Sequence, residues 1–287
     1  MIKTETAKTP YLFVGCPSYD GTIHGQTATS LMAASRTHGP VRFRVGSASL
    51  LAHNFNALWC TAINDPLATH FGMIHADIAA DFYWLDTMLD IMDARKLTVL
   101  SALVPMKTGN GLTSTALDTP EHRRNGPTQQ RRLTMREAYR LSETFDAADV
   151  CNLFGLDPVT WFGGEPRDRA LLVNTGLMVV DLQPFRAGLW FPGFDITSRI
   201  LKEADGSLGV STEPEDWAFS RWCTAQGLAT ACTRAVRVDH VGGHVNAPND
   251  SPWGDWETDE DYAASLLAVP VPDTAIPQTP IDAGITT

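Results

Sequence analysis

The sequence predicts an α/β fold, a single domain whose mainly parallel central sheet is flanked by helices. Three observations lead there. From Tyr11 to Pro105, short apolar runs alternate with stretches of helical periodicity, the pattern of successive βαβ units. One such run, Thr69 to Ile74, stops at His75-Ala76-Asp77, after which Phe82, Leu85, Leu89 and Met92 recur at helical spacing. Finally, 287 residues with 44% hydrophobic and 19% charged content can bury a sizeable core.

In chain order, Tyr11–Cys16 is an apolar strand closed by Pro17 and the turn-forming Ser18-Tyr19-Asp20-Gly21. Thr27–Ser35 fits a helix, Val41–Gly46 a second strand and Leu50–Ile63 a second helix. The run ending at Ile74 is the third strand, and Leu97–Pro105 the fourth. Lys107–Pro120, rich in Gly, Thr and Ser, is expected to be a long loop, followed by a helix over Thr134–Phe145. Leu171–Leu182 suits a strand or hairpin carrying Gly176, where glycine allows a close backbone approach. Trp190, Phe191 and Phe194 form an aromatic cluster suited to the core or to a sugar platform. Glu215-Asp216 opens a helix with apolar Trp217, Phe219 and Trp222, and Ala229–Val238 is the last strand. Residues 1–10 and the acidic, Pro-rich stretch beyond Val245 lack periodicity and are expected to be loose or disordered.

Composition narrows the function. No apolar run approaches the ~18 residues of a membrane span, and the polar N-terminus lacks a secretory pattern, so a cytoplasmic protein is expected. Five scattered cysteines without a CxxC pair argue against a disulfide framework or structural zinc and for buried free thiols. A net charge of -11 opposes a broad nucleic-acid surface. Arg123, Arg124, Arg131, Arg132, Arg136 and Arg140 nevertheless crowd one segment, either a solvated face or a contact for an anionic ligand. No G-x-G-x-x-G follows the first strand and no G-x-x-x-x-G-K-[ST] occurs, which disfavours dinucleotide-binding and P-loop chemistry.

A strand ending in His75-Ala76-Asp77 places an imidazole and a carboxylate at the carboxyl edge of the sheet, where α/β proteins bind ligands. Alternate side chains of an extended segment point the same way, so the two can share a divalent cation. Asp77 and Asp81 also suit a helix N-cap.

The order of these short motifs resembles that of GT-A glycosyltransferases of the family 2 type. Cys16-Pro17-Ser18-Tyr19-Asp20-Gly21 follows the first strand, and Ala52-His53-Asn54 stands where many relatives carry Ala-Arg-Asn. His75-Ala76-Asp77 takes the place of the Asp-x-Asp metal motif, and Leu103-Val104-Pro105-Met106-Lys107 that of the next strand. Asn174-Thr175-Gly176 corresponds to the acceptor-side glycine, Glu215-Asp216 with Trp217 and Phe219 to the Glu-Asp motif, and His240-Val241-Gly242 to the late histidine. The resemblance spans residues 11 to 246 and departs from the pattern at His75 and His53.

It implies a Rossmann-like GT-A domain and a metal-dependent enzyme that moves a sugar from a nucleotide diphosphate sugar, UDP-linked by preference, to a hydroxyl. Pro17, Ser18, Tyr19, Asp20, Asn54 and His75 would form the nucleotide site. Asp77, His240 and His75 would hold the metal, and mixed oxygen and imidazole donors favour Mn²⁺ over Mg²⁺. Asp216 would be the base of an inverting reaction with Glu215 orienting it, and Gly176 and Trp217 would meet the acceptor. Residues 1–110 would be the nucleotide-sugar half, 111–170 a variable Arg-rich insert, 171–247 the acceptor and catalytic half, and 248–287 a tail. The acceptor stays open between a glycan, a small molecule, a protein and a hydroxymethylpyrimidine of phage DNA, the last placing the enzyme in the host cytoplasm. Two alternatives remain: a sugar nucleotidyltransferase, and a nucleotide-sugar-binding module without catalysis. Donor sugar, stereochemical outcome and oligomeric state are not encoded legibly.

Overall fold

The computed structural model describes residues 11–37, 40–119, 130–162, 165–202, 206–242 and 246–268. The proposed leader, Arg123, Arg124, His244 and the end of the tail lie outside them.

Seven strands make the central sheet: β1 (Leu12–Ser18), β2 (Val41–Ser47), β3 (His70–Ile74), β4 (Val99–Ala102), β5 (Thr144–Phe145), β6 (Leu177–Asp181) and β7 (Thr230–Thr233). Their order is β2-β1-β3-β6-β4-β7-β5. β1 runs parallel to β2 and β3, and β4 parallel to β7. β6 is antiparallel between β3 and β4, and β5 is antiparallel to β7. Five strands therefore share one direction and two oppose it, a mixed but mostly parallel sheet.

Period-two alternation divides the apolar residues between two faces. Leu12, Val14, Ile74, Leu100, Leu177 and Val179 pack with helices α1 (Gly25–Thr37) and α3 (Trp84–Arg95). Phe13, Phe71, Met73, Val99, Met178 and Val180 face α2 (Leu51–Asn64) and α4 (Glu215–Ala225). Because both faces are covered, β1 is buried along its whole length and reads as a continuous apolar run. The aromatic cluster is core on the second face: Trp59 meets Phe71, Phe185, Phe191 and Phe194 edge-on at 4.8–6.2 Å. Trp190 lies outside it and is 81% exposed.

Several expectations need correction. Phe82 is half-exposed and precedes α3, and Trp84, fully buried with its indole N–H donating to the Ser30 carbonyl, heads the apolar face instead. Neither Asp77 nor Asp81 caps that helix, whose N-cap is Tyr83. Lys107–Pro120 is not one loop, since Leu112–Asp118 is a strand paired with Gln130–Thr134 and with Leu171–Leu172. Backbone pairing overrode a turn-like composition there. The helix expected over Thr134–Phe145 is a single turn, Met135–Ala138, opened by a Thr134/Glu137 capping box, and the chain then re-enters the sheet as β5. Among the five free thiols, four are buried and Cys60 is exposed.

The tail as far as residue 268 is ordered, and its acids bind the arginines. Arg131 pairs with Glu260 at 2.7 Å and with buried Glu137 at 3.1 Å, and Arg136 pairs with Glu257 at 3.0 Å. The Arg132 backbone N–H donates to Asp259 at the start of helix α5 (Asp259–Ala268). Gly111 and Gly254 pack backbone to backbone beneath this contact, and a Cβ on Gly254 would fall 2.4 Å from the Gly111 Cα. From Arg131 to Arg136 the segment is thus a dock for the chain's own acids.

Truncating Phe71, fully buried with Phe13 stacked on it and Trp59 meeting it edge-on, should open a cavity between β3 and α2. Phe71→Ala is expected to lower the urea unfolding free energy by about 3–5 kcal/mol at unchanged m-value.

Candidate functional site

The site forms where the chain changes direction across the sheet. After β1 it crosses through α1 to β2 on one side, then returns through α2 to β3 on the other. The carboxyl ends of β1 and β3 therefore flank a topological switch point, the place where α/β sheets bind ligands. A cavity of about 540 Å³ opens there. Its walls include Pro17, Ser18, Tyr19 and Asp20 after β1, His75 and Asp77 after β3, and Lys107 and Gly242.

The loop after β1 is fixed internally. Asp20 accepts the Thr22 backbone N–H at 2.9 Å and its hydroxyl at 2.6 Å, and these bonds hold its carboxyl below the ordinary range. The Ser18 hydroxyl donates to the Thr22 carbonyl at 2.6 Å. Tyr19 projects with 76% exposure. On the facing wall the Ala76 carbonyl accepts the His24 backbone N–H at 2.8 Å and the Thr27 hydroxyl at 3.0 Å.

A short ladder joins distant parts of the chain. Strand Ile78–Ala80 pairs antiparallel with Val238–His240, His240 opposite Ile78, and the Val241 N–H donates to the Asp77 carbonyl at 2.8 Å. His240 Nδ1 donates to the Pro105 carbonyl at 2.8 Å, which leaves Nε2 3.4 Å from Asp77 Oδ2. The same oxygen accepts the Lys107 ammonium at 2.5 Å. Burial alone would raise the Asp77 carboxyl, but its bonds to His240 and Lys107 hold it well below the usual carboxylate range.

Asp77 and His240 are brought together as expected, and a histidine tied to a carbonyl by one nitrogen presents the other as metal ligands do. The third expected ligand is not brought in. His75 Nε2 lies 3.1 Å from Thr175 Oγ1, and its ring packs on Phe55. Burial lowers its pKa to about 4, so it is neutral. Among the described residues, no three His, Cys, Asp or Glu side chains converge to hold a metal ion. With an ammonium already on Asp77 Oδ2, the set Asp77, His240 and His75 does not fit a divalent cation as it stands.

Three further residues play parts other than those anticipated. Asn54 is buried behind the cavity and donates to the Ser18 and Gly46 carbonyls at 3.1 and 3.0 Å, so it ties β1 to β2. Gly176 is buried within the fold, its N–H donating to Asn174 Oδ1 and its carbonyl accepting from the His75 N–H. The close approach that needs glycine there is to Asn174 Oδ1, 3.0 Å from where a Cβ would stand. Trp217 is 3% exposed, packs with Ala116, Ala170 and Leu172, and lies under the Arg132 guanidinium at 4.5 Å. It is core, with no face to offer an acceptor.

Glu215 and Asp216 open α4 and are absent from the cavity walls. The next residue, Trp217, connects α4 to the segment that carries the partner of His240. Trp217 Nε1 donates to the Ser114 carbonyl, the Ser114 N–H to the Val104 carbonyl, and the adjacent Pro105 carbonyl receives His240. Burial, reinforced by the charge of Glu215, pushes the Asp216 carboxyl up to about 8, against the opposing Trp217 N–H and Arg132. Glu215 is raised as well, chiefly by burial.

Lys107 is the residue to which sequence reasoning gave no role. Its signal was its place, two residues beyond an apolar strand at the same sheet edge.

No family model matches the chain, and no curated protein matches it. Among solved structures, A197 from STIV aligns over 81% of this chain and 86% of its own at 8% identity and a TM-score of 0.46. A likeness at that level assigns nothing to this chain.

A raised acid costs stability where the unfolded chain ionises it and the folded chain does not. For Asp216 the deficit grows from about pH 4 to its folded pKa of about 8, and is constant above. Asp216→Asn should therefore gain stability over the native protein as pH rises from 5 to 8 and gain no more above 8, read from urea midpoints at pH 5, 7 and 9.

Proposed function

We propose that the chain is a nucleotide-sugar-dependent glycosyltransferase of the GT-A type. The observation that carries this reading is the convergence on one cavity, at the β1/β3 switch point, of the Pro17–Asp20 loop with Asp77 and Lys107, with His240 seated against Asp77. A cavity of about 540 Å³ suits a ligand of nucleotide-sugar size. Tyr19 stands free to stack on a base, while Lys107 supplies positive charge for a diphosphate.

In the reaction, the bond between the anomeric carbon and the diphosphate oxygen breaks, and its electron pair stays on that oxygen. The acceptor oxygen bonds to the anomeric carbon and gives up its proton to a base, the part the family resemblance gives to Asp216, which stands beside the cavity rather than in its wall. A carboxylate with a pKa near 8 is a stronger base than an ordinary aspartate and is available at neutral to mildly alkaline pH. Holding both substrates in one orientation supplies much of the acceleration. Support for DNA as the acceptor weakens, because Arg131 and Arg136 are engaged by Glu260 and Glu257, and the Arg132 guanidinium lies over Trp217 and donates to the Thr113 carbonyl. The acceptor side of the reading thus stands on Glu215 and Asp216.

The test is release of nucleoside diphosphate from a panel of UDP-, GDP-, CDP-, ADP- and dTDP-sugars, with and without Mn²⁺, offered glycan, small-molecule and hydroxymethylated-DNA acceptors. Asp216→Asn should reduce turnover by roughly 10²–10⁴-fold while leaving diphosphate affinity unchanged. The native rate should rise with pH up to about 8, because the base must be ionised. If no nucleotide diphosphate binds under any condition, the reading fails.

A further inference from the structure

We propose that Lys107 is itself the cation of the donor site, so that the diphosphate is bound and its departure assisted without a divalent metal. The inference rests on the glycosyltransferase reading and concerns which positive charge serves it.

Position carries the argument. Asp77, the carboxylate that would hold a divalent ion, already carries the Lys107 ammonium on Oδ2 at 2.5 Å, so a cation is in place at the donor site. The lysine reaches it because the chain around it is fixed: the Leu103 N–H donates to the Thr233 carbonyl and the Met106 N–H to the Leu112 carbonyl, both at 2.8 Å. Gly242 leaves room for the ammonium, since a Cβ there would lie 2.6 Å from Nζ. The arrangement is a seat for this side chain, built from segments as far apart as Asp77 and Gly242.

The seat does not seal the lysine in. Its side chain is 30% exposed and lines the cavity, and the Asp77 side chain is 42% exposed. An ammonium has three donors. Asp77 is the partner of Nζ among the described residues, which leaves donors for phosphate oxygens. Asp77 then orients the lysine, and His240 Nε2 stands 3.4 Å from the same Asp77 oxygen. When the anomeric C–O bond breaks and the electron pair stays on the diphosphate oxygen, the ammonium hydrogen-bonds that oxygen and keeps its protons. No metal, oxidant or further reactant enters the balance.

Isothermal titration of UDP, and of GDP, CDP, ADP and dTDP, into the native protein, Lys107→Ala and Lys107→Arg, in EDTA and again with Mn²⁺, tests this. The native protein should bind one of the diphosphates in EDTA, with little change on adding Mn²⁺. Lys107→Ala should bind it about 10- to 100-fold more weakly in EDTA, the loss of one charge-assisted hydrogen bond, and Lys107→Arg should recover most of that. Should the alanine variant not fold, Lys107→Gln removes the charge and keeps the stem. Binding that requires Mn²⁺, or binding in EDTA that Lys107→Ala leaves intact, overturns the role of Lys107 and leaves the transferase reading standing. Absence of binding in every condition overturns both.

Discussion

Everything at the candidate site depends on a three-residue ladder. Ile78–Ala80 is too short to be a notable strand, yet its pairing with Val238–His240 joins the first third of the chain to its last part. Side chains on strands alternate, so a slip of one residue would turn His240 away from Asp77. Two anchors oppose the slip: the Val241 N–H bonds to the Asp77 carbonyl, and Asn249 accepts the Val238 N–H while donating to the carbonyls of Leu103 and Val236. Asn249 is 1% exposed, a buried amide with its donors and acceptor satisfied. It fixes the edge from which Lys107 and His240 are both hung.

Charge is organised by the same economy of long-range contacts. A net charge of -11 suggests a uniformly acidic surface, but acids and arginines are partly matched inside the molecule. Arg131 sits over the Phe154 ring while meeting Glu137 and Glu260, and Arg132 sits over that of Trp217 while donating to the Thr113 carbonyl, so both guanidiniums cover apolar surface as well as making polar contacts. At the switch point a different arrangement holds: one carboxylate, one ammonium and one imidazole meet beside open space. Isolated surface ion pairs contribute little to stability. A triad at the mouth of a cavity is better understood through what it can bind.

Much of this was legible in the sequence, and the divide is physical. Strands buried on both faces, such as Leu12–Ser18 and Leu177–Asp181, announce themselves as apolar runs, and α3 by its spacing. Asp77 was legible because a strand end followed by a helix marks a sheet edge. Leu112–Asp118 was not, because its Thr- and Ser-rich composition resembles a loop and its partners are set by tertiary pairing. Gly176 and Trp217 were assigned to the acceptor, and both meet the protein's own atoms, Asn174 in one case and Ala116, Ala170 and Leu172 in the other. Whether His75 turns to Asp77 or to Thr175 is decided by a contact 100 residues away, which no local pattern encodes.

The docking of the tail on the arginine segment has a consequence in time. Arg131 and Glu260 are separated by 129 residues. At a synthesis rate of about 5–20 residues per second, the arginine leaves the ribosome on the order of ten seconds before its carboxylate exists. Through that interval Arg131 has only Glu137 and solvent to meet its charge, and its other carboxylate partner is still to be made. The central sheet needs none of these later residues to begin forming. The small sheet of Leu112–Asp118, Gln130–Thr134 and Leu171–Leu172 gains its last contacts, those of Arg131 with Glu260 and of Arg132 with Asp259, only when the tail has been made.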